Sequence, residues 1–185
     1  MPTITPLMKE NYIAEDFTLK SVDGKMVGLY EFLSGKDHHG FLLAFICNHC
    51  PYVKAILEKL TVDIKKLSVL NIPTIAICSN DDVLYPEDSF ENMQKMSKAN
   101  MFDFPYLHDK NQKVAQKYGA VCTPDFFGFN ANKTLQYRGR FDSAGKSSSD
   151  STNRDLYNAM VEISRNGMYS GKQYPSLGCS IKWKN

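Results

Sequence analysis

Two largely apolar runs, Phe41–Ile46 (FLLAFI) and Ile72–Ile77 (IPTIAI), flank a stretch whose apolar residues recur every three or four positions. Short runs of this kind read as strands buried on both faces, as in a parallel sheet. Between them, Val53, Ile56, Leu57, Leu60, Ile64, Leu67 and Leu70 line one face of a helix. Lys54, Lys59, Lys65 and Lys66 fall mostly on the other face, the pattern of an amphipathic helix. Pro51 opens this helix: its fixed backbone dihedral suits the first turn, where its missing N–H costs nothing. The three elements form a βαβ unit with a right-handed crossover.

The rest of the chain is read around that unit. Residues 1–16 are expected to be an extended lead-in, with Pro2 and Pro6 breaking regular structure. Phe17–Lys20 and Lys25–Leu29 read as a β-hairpin turned at Asp23-Gly24. The loop Ser34–Gly40 carries His38 and His39 as solvated residues, and Ser79–Asp82 reads as loop and cap chemistry at the end of the second strand. A helix over Pro86–Asn100 is expected to place Phe90, Met93, Met96 and Ala99 inward. A short strand at Phe104–His108 and a helix over Gln112–Tyr118 follow, with Gly119 closing the helix. Asp125–Phe129 and Thr134–Arg140 form an antiparallel hairpin, Ala144–Asp150 a polar loop, and Asn153–Arg165 a last helix. From about residue 168 the tail is expected to be irregular, and no repeat or linker divides residues 1–185, so a single domain is expected.

Composition narrows the function classes. A chain of 185 residues suits one core, and 43% apolar with 23% charged residues describes a soluble globular protein. The net charge of +2, on scattered lysines, argues against a nucleic-acid partner. No apolar run reaches membrane-spanning length. The first residues lack the basic and apolar regions of a secretory signal, so a cytoplasmic setting is expected. The five cysteines leave one over after any pairing. That suits catalytic and free thiols better than a secreted disulfide scaffold.

The candidate chemistry lies at the first strand–helix junction, Cys47-Asn-His-Cys50. Cysteines three apart at a helix N-terminus share one turn and can close a small disulfide, and the unpaired N–H groups and dipole there favour a thiolate. The thiolate is expected on Cys47 as the more exposed of the two, with His49 able to become cationic and stabilise it. A metal reading, with Cys47 and Cys50 joined by His49 or Cys122, stands as an alternative. Zinc usually needs a second pair at similar spacing, however, and Cys78, Cys122 and Cys179 stand singly. Cys78 ends the second strand and reads as a buried core thiol.

Strand, CxxC, helix, strand, helix, then Thr-Pro ahead of a β-hairpin and a last helix: this order resembles thioredoxin-fold redoxins over roughly Ala14 to Gly167. The residues carrying the resemblance are Cys47–Pro51, Thr123-Pro124 before Asp125–Phe129, and the hairpin opening with Asp16-Phe17. It implies an α/β thioredoxin-like fold, a central mixed sheet flanked by helices, with an N-terminal β-hairpin extension. It also implies a cis Pro124 facing the CxxC, with Thr123 lining the disulfide and offering backbone to a substrate. The segments CNHCPYVK, YPEDSFENM, CTPDFF and PSLGCSIKWK are similar to the peroxiredoxin-like subgroup of the AhpC/TSA (peroxiredoxin) group that carries a thioredoxin-type CxxC. By that resemblance Cys50 occupies the peroxidatic position and Cys47 that of the helper threonine. An activating arginine is implied near the strand after Pro124; this chain has Asp125-Phe126-Phe127 there, with Arg138 and Arg140 on the return strand.

The expected function is thiol–disulfide exchange with a disulfide-containing protein or small-thiol partner, without a cofactor. In this scheme Cys47 attacks, Cys50 resolves, His49 tunes the thiolate, and Thr123 and Pro124 hold the substrate. Alternatives are peroxide reduction, with Cys50 peroxidatic and Cys47 resolving, and a metal-binding or metallochaperone role. Cys122 is expected as a bystander or third thiol. Cys179 is a resolving or partner-linking cysteine, or part of a tail docked through Leu177, Ile181 and Trp183.

Overall fold

The computed structural model describes residues 2–6, 11–145 and 153–184. In chain order its elements begin with β1 (Pro2–Ile4), β2 (Thr18–Ser21), β3 (Met26–Gly28), α1 (Leu29–Leu33), β4 (Gly40–Phe45) and α2 (Pro51–Val69). They continue with β5 (Thr74–Cys78), a 3-10 turn (Pro86–Asp88), α3 (Phe90–Ala99), β6 (Tyr106–His108), α4 (Lys113–Tyr118) and β7 (Cys122–Thr123). The last are β8 (Asp125–Asn130), β9 (Leu135–Gly139), α5 (Asp155–Asn166) and β10 (Leu177–Ser180). The polar loop expected over 144–150 lies, beyond Gly145, outside the described residues.

A seven-stranded sheet in the order β3-β2-β6-β5-β4-β8-β9 forms the centre. β4 runs parallel to β5, and β5 to β6, while the β2, β3, β8 and β9 pairings are antiparallel. The period-two alternation of β4 divides its side chains between two apolar layers. Phe41, Leu43 and Phe45 join Leu29 and Leu33 of α1 and Val114 and Tyr118 of α4. Leu42, Ala44 and Ile46 join Val53, Ile56, Leu60, Ile64 and Leu67 of α2 and Met160 and Ile163 of α5. Each buried Val, Leu, Ile, Phe or Met among these contributes about 1.5–3 kcal/mol, so β4 anchors both layers and α2 one of them.

Three expectations change. The single helix expected from Pro86 is a 3-10 turn followed by a helix starting at Phe90. Ser89 caps α3 by accepting the Asn92 N–H at 3.4 Å, and Asp88 turns into the interior with no exposure. The tail is not irregular throughout, because β10 pairs antiparallel with both β1 and β7 in a separate three-stranded sheet. Pro2 and Pro6 likewise do not keep the lead-in unstructured, since Pro2 opens β1 opposite Cys179. Among the described residues, no helix is long and apolar enough to cross a membrane.

Candidate active site

Cys47 follows the last residues of β4, and Cys50 is the residue immediately before α2. Both are buried, with 0% of either residue exposed. They meet on one residue of the opposite segment. The Cys47 Sγ lies 3.1 Å from Thr123 Oγ1, and the Cys50 thiol donates to the Thr123 carbonyl at 3.1 Å. The Thr123–Pro124 peptide is cis. Thr123 is held from the other side by β10, where it sits opposite Cys179.

The loop between the cysteines is organised by Asp88. Its Oδ1 accepts the N–H groups of Asn48 at 2.7 Å and His49 at 3.2 Å. Its Oδ2 accepts the Asn80 amide at 2.7 Å and lies 2.5 Å from His49 Nδ1. A buried carboxylate is expensive unless donors surround it, and here four contacts do so. The Asn48 side chain adds bonds to the Glu87 carbonyl at 2.9 Å and from the Tyr106 hydroxyl at 3.0 Å. His49 stacks on Tyr85 with centroids 5.7 Å apart, and its side chain is 24% exposed.

The two thiols are electrostatically unequal. A hydrogen bond from Cys47 favours the Cys50 thiolate, and the Val53 and Cys179 N–H groups assist, so the Cys50 pKa falls well below its ordinary 9.0 despite burial. Val53 is the third residue of α2, and N–H groups at that position are unpaired within the helix. The same shared hydrogen bond, then burial and then the Asp88 carboxylate, push the Cys47 thiol up. The expected arrangement, an exposed Cys47 carrying the thiolate, therefore differs from the structure. Neither cysteine is exposed, and the helix N-terminus acts on the residue that caps it.

The remaining candidates separate. Cys78 is buried, and desolvation raises its thiol to about 12. Cys122 is buried with its thiol 3.7 Å from the Pro124 carbonyl, and burial raises its pKa as well. Arg138 bonds Asp125 Oδ2 at 2.9 Å and the Gly119 carbonyl at 2.6 Å. Arg140 bonds Asp155 at 2.7 Å. Both arginines thus face carboxylates rather than the cysteines. His38 is half-buried, its ring edge-on to Phe41, instead of solvated. Sequence reading missed Asp88 and Asn80 as parts of the site; Asp88 lies within YPEDSFENM, but nothing local marks it as turned inward.

Among the described residues, Cys47, His49 and Asp88 present possible ligand atoms within 4.8 Å of one another. Both Asp88 oxygens already accept hydrogen bonds from the surrounding loop, so the carboxylate serves the fold of the CxxC turn. Cys50 and Cys122, expected in a metal set, are not in this group.

The fold is thioredoxin-like. A peroxidoxin of Mycobacterium tuberculosis, 17% identical, superposes with a TM-score of 0.62 over 89% of this chain and 100% of its own. Much nearer in sequence are a hypothetical protein of Sinorhizobium meliloti 1021 and an uncharacterized conserved protein of Geobacillus kaustophilus. The first is 37% identical with a TM-score of 0.92, covering 98% of both chains. The second is 36% identical with a TM-score of 0.91, covering 100% of this chain and 97% of its own. No curated protein matches the sequence. The AhpC/TSA family profile matches residues 11–139. With that match spanning the hairpin, the CxxC, Thr123-Pro124 and Arg138, the chain belongs to the AhpC/TSA family.

Proposed function

We propose that the protein is a thiol–disulfide oxidoreductase whose redox centre is the Cys47/Cys50 pair. One observation carries this reading: two buried thiols, one turn apart at the start of a helix, both rest on Thr123. The Cys50 thiolate is the nucleophile towards a disulfide presented to it, and Cys47 then attacks the Cys50 sulfur to close the Cys47–Cys50 bond and release the second thiol. Cys47, with its raised pKa, needs a base at that step. The His49–Asp88 pair, with donor and acceptor atoms within 4.8 Å of the Cys47 sulfur, is placed to take the proton. A lowered Cys50 pKa also stabilises the dithiol form and makes the pair a better oxidant. Thr123 and Pro124 border the site, and Pro124 also lines a cavity of about 240 Å³ with Tyr52, Ile56, Arg140 and Leu177. That cavity suits an apolar side chain of a partner.

A redox titration with glutathione and peptide mapping tests the reading. A reversible Cys47–Cys50 disulfide with a potential of roughly −270 to −180 mV supports it. A pair that does not oxidise reversibly overturns it.

Peroxide reduction is the second reading, favoured by the acidity of Cys50 at the helix N-terminus. Cys50 would be oxidised to a sulfenic acid, and Cys47 would displace water to form the same disulfide. The engagement of Arg138 with Asp125 and Gly119 removes the cation that would steady a peroxide, so slow consumption is expected. Hydrogen peroxide turnover faster than disulfide turnover would make this reading the primary one.

A further inference from the structure

The Cys47/Cys50 pair is buried, so a partner disulfide needs a route to it. Of the five cysteines, Cys179 alone is half-exposed; Cys47, Cys50, Cys78 and Cys122 are buried. Cys179 belongs to β10, in the tail, and is brought to the site by the register Cys179↔Thr123 and Ser180↔Cys122. The strand lies flush on the Thr123–Pro124 backbone because residue 178 has no side chain. A Cβ on Gly178 would come 2.1 Å from the Thr123 carbonyl oxygen and 3.1 Å from Pro124 N. Cys179 packs against the same apolar cluster as Cys47 and Cys50. Cys50 bonds the carbonyl of Thr123, the residue that Cys179 faces across the strand pair, and hydrogen bonding from Cys179 is among the causes that lower the Cys50 pKa. Cys47, Cys50 and Cys179 thus converge on Thr123.

We propose that Cys179 is a third redox thiol, the surface end of a Cys179–Cys50–Cys47 relay that exchanges with low-molecular-weight or peptide disulfides. The proposal rests on the exchange reading above and adds the route to it. In the reducing direction, the Cys179 thiolate attacks a partner disulfide; a Cys179–partner bond forms, the partner S–S bond breaks, and one partner thiolate leaves. The Cys50 thiolate then attacks the Cys179 sulfur, forming Cys50–Cys179 and expelling the second partner thiolate. Cys47 attacks the Cys50 sulfur, forming Cys47–Cys50 and returning Cys179 as a thiolate. The two partner thiolates take up the protons lost by Cys47 and Cys50 on oxidation, and Cys179 ends as it began. One disulfide is reduced to two thiols while one dithiol becomes a disulfide. In the oxidising direction the steps reverse, and the acidity of Cys50 makes it a good leaving group from Cys179.

The full chain, reduced and then mixed with oxidised glutathione, tests this by acid quenching at intervals and mapping of disulfides by mass spectrometry. Wild type is expected to end as Cys47–Cys50. Cys47→Ser is expected to stop at Cys50–Cys179, a bond that no two-thiol scheme contains. Cys179→Ser is expected to reach Cys47–Cys50 about tenfold or more slowly, since it loses a thiol held at high effective concentration. Gly178→Ala, which keeps all five cysteines but moves the strand, is expected to slow the same step. Formation of Cys47–Cys50 at the wild-type rate in Cys179→Ser overturns the relay and leaves exchange intact. So does a Cys47→Ser protein, with a wild-type thermal midpoint, that never shows Cys50–Cys179. Wild type that forms no Cys47–Cys50 overturns the exchange reading itself.

Discussion

Cys47 and Cys50 are the same residue type, one turn apart on the chain and anchored to the same threonine, yet they lie in opposite surroundings. On the Cys47 side stands Asp88, a buried carboxylate that repels a thiolate. On the Cys50 side stand the first N–H groups of α2 and the backbone of β10. The spacing of a CxxC thus guarantees two neighbouring sulfurs; it does not decide which of them ionises. That choice is made by what packs against each, and three of those contacts come from residues far away in sequence: Asp88, Thr123 and Cys179.

The most severe way to break the contrast is to remove its acidic member. Cys50→Ser is expected to abolish turnover of a chromogenic disulfide. Cys47→Ser should retain a single rapid burst of released thiol without turnover, because the nucleophile remains while the closing thiol is gone. Attack by Cys179 leaves Cys50→Ser with at most one thiol released per chain; a second thiol from Cys50→Ser and none from Cys47→Ser would invert the assignment.

Next in size is the Cys47 side. Asp88→Ala strands the Asn48 and His49 N–H groups and the Asn80 amide, and each unsatisfied buried donor costs about 1–3 kcal/mol. A loss of roughly 3–5 kcal/mol in denaturant unfolding is expected on that basis. Placed in a Cys50→Ser background, the same change should speed alkylation of Cys47 at neutral pH, because the repelling carboxylate is gone. An unchanged unfolding midpoint would show that Asp88 does not organise the loop.

The two buried carboxylates near the pair sharpen the comparison. Asp88 has contacts on both oxygens, whereas Asp125 has Arg138 on Oδ2 and its Oδ1 is without a partner. Burial pushes the Asp125 carboxyl up from 3.8 to about 7, against the pull of Arg138. A folded-state pKa above the unfolded one means that the native state binds the proton more tightly. The stability from this group is complete below about pH 4 and is lost as the pH rises through about 7. The decline should be roughly 2–4 kcal/mol, followed by urea unfolding from pH 4 to 8. Asp125→Asn should flatten that slope; an equal slope in the variant would assign it to other groups.

The smallest expected effect separates hydrogen bonding from the helix terminus. Cys47→Ser keeps a donor to the Cys50 thiolate and Cys47→Ala removes it, so Cys50 should titrate higher in the alanine variant by roughly one pH unit. The pH dependence of Cys50 alkylation reads this shift. Identical profiles would leave the α2 terminus and Cys179 as the causes.

The β4–α2–β5 unit, the N-terminal hairpin and the β8–β9 hairpin were legible because each announces itself locally. β4 is a continuous apolar run, α2 carries a three-and-four spacing opened by Pro51, and Asp23-Gly24 turns the first hairpin. β10 was not legible. Leu-Gly-Cys-Ser has neither alternation nor strand propensity, and it becomes a strand because β1 and Cys122–Thr123 lie on either side of it. Asp88 was hidden for a similar reason: Pro-Glu-Asp-Ser reads as a helix start, and only the approach of Asn48, His49 and Asn80 makes an inward carboxylate tolerable.

Read alone, the chain determined that a CxxC stands where a buried strand meets a helix, a consequence of short-range patterning, which secondary structure obeys. That Thr123-Pro124 faces it was implied only by the resemblance to thioredoxin-fold redoxins. Only the tertiary structure decided that both thiols are buried, that Cys50 rather than Cys47 is favoured as the thiolate, and that a tail cysteine stands beside it. A thiol's acidity depends on the charges and hydrogen-bond donors within a few ångströms, and here Asp88, Thr123 and Cys179 among them arrive from segments more than thirty residues away along the chain.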